Sequence, residues 1–301
     1  MQSKIKSKDI GRWIFKAAFL LCISGLNHSL NFARAQYITG PTSMSLGGAG
    51  VAGLSSADSV FINPASVSRS TSFEVDLLYQ DGYIQNTDHK SLFGFLVADN
   101  SEGVLFPGAI GYITGSRLYS GYFSQDQMWH ITIGRRVTQY LRLGFNFIYL
   151  DSEISGFKNF KQLTGSVGAI YDFNNQLSLG FSAEHLGEVD DEIPVPLKLA
   201  PHLRIGVRYQ PLELFSFYLD SSRRQSENPE DKGALHFGIE SLTNAFTVLR
   251  VGMRWDDYLG YNYFTGGLGF DGPRLKINYS LQKAIKGPDG ALHGVDFRVS
   301  F

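Results

Sequence analysis

The chain has 301 residues, 33 of them glycine, 23 phenylalanine and 15 tyrosine, and only 18% are charged. That length suits one large domain or two ordinary ones, and the composition favours strands over helices. A net charge of −1 and a mean hydropathy of −0.09 exclude a strongly basic nucleic-acid binder and argue against a helical membrane protein.

Residues 1–16 carry Lys4, Lys6, Lys8, Arg12 and Lys16 against Asp9, and an apolar run from Ala17 to Leu26 follows. The run is too short to span a bilayer as a helix. It leads to Ala33-Arg34-Ala35, an A-x-A cleavage site, so residues 1–35 read as a cleaved export signal with a mature start at Gln36. Cleavage there removes six bases and one acid, leaving a net charge of −6. The single cysteine, Cys22, lies inside the signal, and Leu21 before it is not the small residue that lipidation requires.

Residues 40–66 read GPTSMSLGGAGVAGLSSADSVFINPAS. Gly40, Gly47, Gly48, Gly50 and Gly53 oppose a stable helix, and Pro64 opposes a central strand. Such a stretch has little core of its own and has to be enclosed by the rest of the chain. Gly47-Gly48-Ala49-Gly50 lacks the lysine and the following helix of a phosphate loop, so tight backbone packing is the better reading.

From residue 72 onward, period-two alternation marks fourteen strands, near 72–80, 90–98, 108–115, 127–135, 140–151, 159–172, 176–186, 200–209, 213–222, 232–241, 246–255, 261–270, 273–282 and 291–301. The last is the clearest: Val295, Phe297, Val299 and Phe301 alternate with Asp296, Arg298 and Ser300. Short connections follow the even-numbered strands and longer ones the odd, with 99–107 as the exception. This is the signature of an all-β, transmembrane antiparallel β-barrel of about 14 strands. The face expected to line the lumen carries Glu74, Asp76, Arg142, Asn146, Glu184, Arg204, Arg208, Asp220, Glu240, Arg250, Arg254, Lys276, Asp296 and Arg298. The outward face carries Leu143, Phe145, Phe147, Leu179, Phe181, Ile205, Val207, Phe217 and Val251. Mixed charges suggest paired networks, not an ion filter of one sign. Tyr149, Tyr209, Trp255 and Tyr279 sit near strand ends, either in aromatic girdles or as ordinary packing.

Nothing points to catalysis. HExxH and CxxC are absent, His130, His202 and His236 lie at no metal-ligand spacing, and no cofactor site is expected. The acidic run Glu188, Asp190, Asp191, Glu192 lacks calcium-loop spacing and reads as a solvated loop.

The pattern Ser45-Leu46-Gly47-Gly48-Ala49-Gly50-Val51-Ala52, then Ala57-Asp58-Ser59-Val60-Phe61-Ile62-Asn63-Pro64-Ala65, resembles the N-terminal signature of the PorV/PorQ family. That family lies within the wider FadL-like superfamily of hydrophobic-compound transporters of the outer membrane. The resemblance covers residues 40–301. It implies a hatch, residues 36–71, folded inside a barrel of residues 72–301. Gly47, Gly48, Gly50, Asn63, Pro64 and Ala65 form its hatch motif, with Asn63 expected to cap or clamp the hatch. Ser66 stands where the family commonly has glycine. Phe297, Val299 and Phe301 match a C-terminal barrel-assembly signal, although Asp296 replaces its usual glycine. The resemblance implies an outer-membrane scaffold or accessory in protein export, and alternatively hatch-gated passage of hydrophobic small molecules. Short outer loops favour the first. The expected partners are outer-membrane lipids, the barrel-assembly machinery, and either secretion-system proteins or a hydrophobic ligand.

Overall fold

The computed structural model describes residues 38–301 apart from 55–56, 71, 86–87, 106, 120–121, 157–158, 188–198, 225–232, 244–245, 258–259 and 288. The export segment, its cleavage site and the acidic run from Glu188 to Glu192 lie outside the described residues.

Fourteen strands follow one another: β1 (Phe73–Gln85), β2 (Asp88–Asp99), β3 (Gly108–Tyr119), β4 (Tyr122–Arg136), β5 (Leu141–Ile154), β6 (Phe160–Asp172), β7 (Leu177–Leu186), β8 (His202–Leu212), β9 (Phe215–Arg224), β10 (Ala234–Leu242), β11 (Thr247–Asp256), β12 (Tyr261–Asp271), β13 (Leu275–Lys286) and β14 (Ala291–Ser300). Each pairs antiparallel with its sequence neighbours, and β14 closes on β1 with Asp76 opposite Arg298 and Leu77 opposite Phe297. Closure leaves no free sheet edge, as a sheet in lipid requires.

Alternation decides which side chains face lipid. Phe145, Phe147, Ile205, Phe217, Val251 and Phe297 are exposed on the outer face, beside many other large apolar residues. An apolar surface this extensive is far beyond what a water-soluble monomer displays. Strands of 9 to 15 residues are long enough to cross a bilayer when tilted. Tyr149, Tyr209 and Tyr279 are exposed on the same face, and Trp255 is half-buried.

The wall is taller on one side than the sequence pattern suggests. β1 extends to Gln85, and β3 and β4 meet at Tyr119 and Tyr122, so the expected loops over 81–89 and 116–126 are mostly strand. Asp81 and Gly82 look like turn residues, yet their backbone pairs on both sides, with His293 and Leu292 of β14 and Ser91 and Lys90 of β2. A filled ladder on both flanks outweighs the weak strand preference of Asp and Gly. Two rims result. The lower rim carries the start of β1, the end of β14 and the turns after even-numbered strands. The upper rim carries the other connections.

Inside the barrel lie α1 (Pro41–Ser45) and two 3-10 turns, Ala57–Phe61 and Pro64–Arg69. From Thr39 to Leu54 and from Asp58 to Val67 almost every residue is buried. The barrel supplies the enclosure that this core-poor segment lacks.

Candidate functional site

The hatch is short, and glycine lets it reverse direction within the lumen. Pro41 opens α1, the Met44 N–H closes its single turn on the Gly40 carbonyl at 2.9 Å, and Gly47 follows with a φ of 71°. That left-handed conformation suits glycine and opposes helix continuation.

Its backbone groups, out of reach of water, are satisfied by side chains from the wall. Asp220 of β9 accepts from the Gly50 N–H at 2.6 Å and the Val51 N–H at 2.9 Å. Thr265 of β12 accepts from the Gly47 N–H and donates to the Ser45 carbonyl, both at 2.9 Å. His236 of β10 meets the Gly47 carbonyl through Nδ1 at 2.7 Å. A carbonyl can only accept, so Nδ1 carries the proton and Nε2 takes a hydrogen bond from the Ser222 hydroxyl at 3.1 Å. Near the lower rim, Asn100 donates to the Val67 carbonyl and Arg142 to the Ser68 carbonyl, each at 2.6 Å. Arg69 reaches back to the wall and pairs with Asp172 at 2.6 Å.

Asn63 ties the two halves of the hatch to each other and to the wall. Its Oδ1 accepts from the Ala65 N–H at 3.0 Å, capping the turn that Pro64 opens. Its Nδ2 donates to the Val51 carbonyl at 2.7 Å and approaches the carbonyls of Ala169 and Phe181 at 3.2 and 3.3 Å. Those two wall residues face each other across the β6–β7 ladder.

At several points the hatch backbone lies directly against wall positions that have no side chain. A Cβ at Gly144 would strike the Pro64–Ala65 peptide, one at Gly168 the Asn63 carboxamide, and one at Gly180 the Val51 carbonyl. On the other side, Gly238 and Gly252 lie against Leu46 and Gly47, and Gly267 against Ser45. Several are cross-strand partners: Gly134 with Gly144, Gly144 with Gly168, Gly180 with Gly206, Gly238 with Gly252. Together they form a belt around the lumen on which the hatch backbone rests. The sequence carries its signal, which is glycine at inward parity between apolar outward neighbours, as in Leu143-Gly144-Phe145 and Leu179-Gly180-Phe181.

The lumen charges named from the sequence fall into separate networks. Arg204 pairs with Glu184 at 3.0 Å, and its Nη1 lies 3.5 Å from the Gly48 carbonyl. His202 also sits on Glu184, at 3.3 Å. Arg254 pairs with Asp256 and lies over the Tyr263 ring. Arg250 bridges Glu240 at 2.7 Å and Asn278 at 2.8 Å, and Asn278 donates to Asp296 at 2.8 Å. Arg298 faces Asp76 at 3.6 Å. Arg208 binds Gln210 at 2.6 Å near the lower rim, across the ladder from Ser178, which takes a hydrogen bond from Arg69 of the hatch. Phe297 and Val299 point outward, and the Phe301 ring packs 5.8 Å from Phe73. Among the described residues no group of three or more His, Cys, Asp or Glu side chains is placed to hold a metal ion.

Charge does not extend over the whole lumen. The inward face of β1–β5 carries an apolar band, in which Leu78, Leu92, Leu96, Ala98, Ala109, Ile113, Met128, Ile148 and Leu150 join Ile38, Val60, Phe61 and Val67 of the hatch in one cluster, beside buried polar residues such as Asp76, Gln80, Asp126, His130 and Asn146. On β2 and much of β3 both faces are apolar, as in Leu92-Phe93-Gly94-Phe95-Leu96-Val97, so alternation cannot show which residues face inward. The apolar sector extends from a cavity at the lower rim to a void near the upper rim with room for no more than about one water. The lower one, about 690 Å³, is bounded by Val60, Val67, Ala98, Phe246 and Phe301 together with Arg69, Glu74 and Lys276. The upper one, about 10 Å³, lies among Lys90, Leu92, Ile113, Arg117 and Met128. Hatch residues 57–67 lie between the two.

No protein-family model and no curated protein matches the chain. Solved structures do. The CymD monoaromatic hydrocarbon channel superposes with a TM-score of 0.71 at 12% identity, covering 87% of this chain and 97% of that one. The toluene transporter TbuX of Ralstonia pickettii gives 0.64 at 15% identity, covering 88% and 99%. A FadL homologue of Pseudomonas aeruginosa gives 0.59 at 9% identity, covering 87% and 97%. The chain has the fold of the FadL-type outer-membrane barrels. At these identities the likeness concerns the fold, and what this barrel does has to be argued from its own lumen.

Proposed function

We propose that the chain is an outer-membrane channel for hydrophobic small molecules, held shut by its hatch. The observation that carries this is the apolar band of β1–β5, which extends from the lower cavity toward the upper rim and is covered by hatch residues such as Val60, Phe61 and Val67. A water-filled pore for polar solutes would have no use for such a strip, whereas a solute without hydrogen-bonding groups gains by following it. The neighbours described as hydrocarbon and toluene transporters favour the same solute class. The test is uptake of labelled toluene and of a labelled long-chain fatty acid by cells that have this barrel as their one hydrophobic-solute channel. Deleting residues 40–66 should raise uptake and make it unselective. Uptake that never exceeds that of cells without the barrel, for either solute, overturns the proposal.

A second reading, a scaffold in outer-membrane protein export, rests on the PorV/PorQ resemblance and on the tight upper hairpins, where β1–β2 and β3–β4 leave two residues each between strands. Mild cross-linking followed by purification should then recover partner proteins, and recovery of the free barrel alone counts against it.

A further inference from the structure

The hatch meets the β1–β14 seam at a group of buried acids that the channel reading does not use. Asp58, in the first 3-10 turn, is fully buried, as are Asp76 of β1 and Asp296 of β14. Asp58 Oδ2 takes one long hydrogen bond, from the Ser43 N–H at 3.4 Å, and Oδ1 takes none. Neither oxygen of Asp76 accepts a hydrogen bond, nor does Oδ2 of Asp296. Arg298, itself buried, serves this group, while Arg250 is shared with Glu240. Glu74 adds a further acid from β1. The remaining neighbours bring little charge. β2 presents Leu92, Leu96 and Ala98 to this region, with Lys90 further up the strand, α1 has no ionisable side chain, and Arg69 of the second 3-10 turn is paired with Asp172. Gly40 lies so close that a Cβ there would overlap the Asp58 side chain.

We propose that Asp58 is a proton switch for the hatch: protonated, it lets the hatch seat against β1 and β14, and ionised, it loosens that seat. An ionised Asp58 would be a further negative charge in a buried site already holding Asp76 and Asp296, with its Oδ1 wholly unmatched. Burial, followed by the charge on Asp296, pushes its carboxyl up to about 7, against the pull of Arg298, the Ser43 N–H and Arg250. In a released hatch the same group meets water and returns to the ordinary 3.8. The group binds its proton more tightly when seated. Seating is therefore favoured fully below about pH 4, and the advantage is lost as pH rises through about 7. Each pH unit across that window is worth a factor of about ten, so the hatch-opening constant rises roughly a hundredfold from pH 5 to pH 8.

The experiment is hydrogen exchange read by mass spectrometry on the full barrel in lipid nanodiscs from pH 5 to pH 8.5, corrected for the intrinsic pH dependence of exchange. Peptides covering residues 41–53 and 57–70 should lose protection about a hundredfold across the range while the strands stay unchanged. Asp58→Asn should give a flat profile at the low-pH level. Asp296→Asn, which removes a charge that repels an ionised Asp58, should move the midpoint to lower pH, and it carries the test alone if Asp58→Asn fails to assemble. A flat wild-type profile, a wild-type profile in Asp58→Asn, or an unmoved midpoint in Asp296→Asn overturns the proposal. Because the readout is hatch protection, it is independent of whether any hydrophobic solute passes.

Discussion

Replacing Asn63 with alanine removes the group that fastens the hatch to itself and to the wall. The Ala65 N–H loses its cap, at about 1 kcal/mol. The Val51 carbonyl is left buried without its 2.7 Å donor, at about 1–3 kcal/mol. The carbonyls of Ala169 and Phe181 belong to wall residues already paired across the β6–β7 ladder, so their loss adds little. The sum, about 2–4 kcal/mol, falls on hatch seating and not on the closed ladder. At 1.4 kcal/mol per tenfold change, the hatch-opening constant rises roughly 30- to 700-fold. Single-barrel recordings in planar bilayers should show a matching rise in the frequency of leak openings, with an unchanged heat-modifiable barrel band on gels. An Asn63→Ala barrel as tightly shut as the wild type would refute the clamp.

Gly144→Leu places a side chain where the Pro64–Ala65 peptide lies, and overpacking of at least about 1–3 kcal/mol should unseat the hatch while the barrel still assembles. Gly266→Ala, whose new methyl meets nothing nearer than 3.8 Å, should behave as wild type in the same exchange assay. Asp220→Ala strands the Gly50 and Val51 N–H groups at about 1–3 kcal/mol each, whereas Asp220→Asn keeps an accepting oxygen and should cost less. Protease sensitivity of the hatch ranks the two.

The strands were legible because most of the wall has one apolar and one polar face. β14, with Val295, Phe297 and Val299 against Asp296, Arg298 and Ser300, shows this most plainly. What alternation could not show lies where it fails. On β2 and β3 the inward residues are as apolar as the outward ones, so the sector carrying the proposed function looks like generic strand. The glycine belt leaves a parity signal in the sequence, but not what rests on it. Gly144, Gly180 and Gly252 lower strand preference locally, and their purpose appears only when the hatch is seen resting on them. The hatch motif was visible as a cluster of residues, but its partners Asp220, His236 and Thr265 lie between 169 and 220 positions away along the chain. No local pattern links residues so far apart.

The central claim is that hydrophobic solutes follow the apolar sector of β1–β5. Ala109 faces the lumen within it, next to the outward-facing Ile110. Uptake of labelled toluene should therefore be compared between cells carrying the Ala109→Trp barrel and cells carrying the Ile110→Trp barrel, at equal amounts of assembled protein. Filling the sector should lower uptake by about tenfold or more, while the lipid-facing change leaves it at the wild-type rate. Equal uptake by the two would contradict the account.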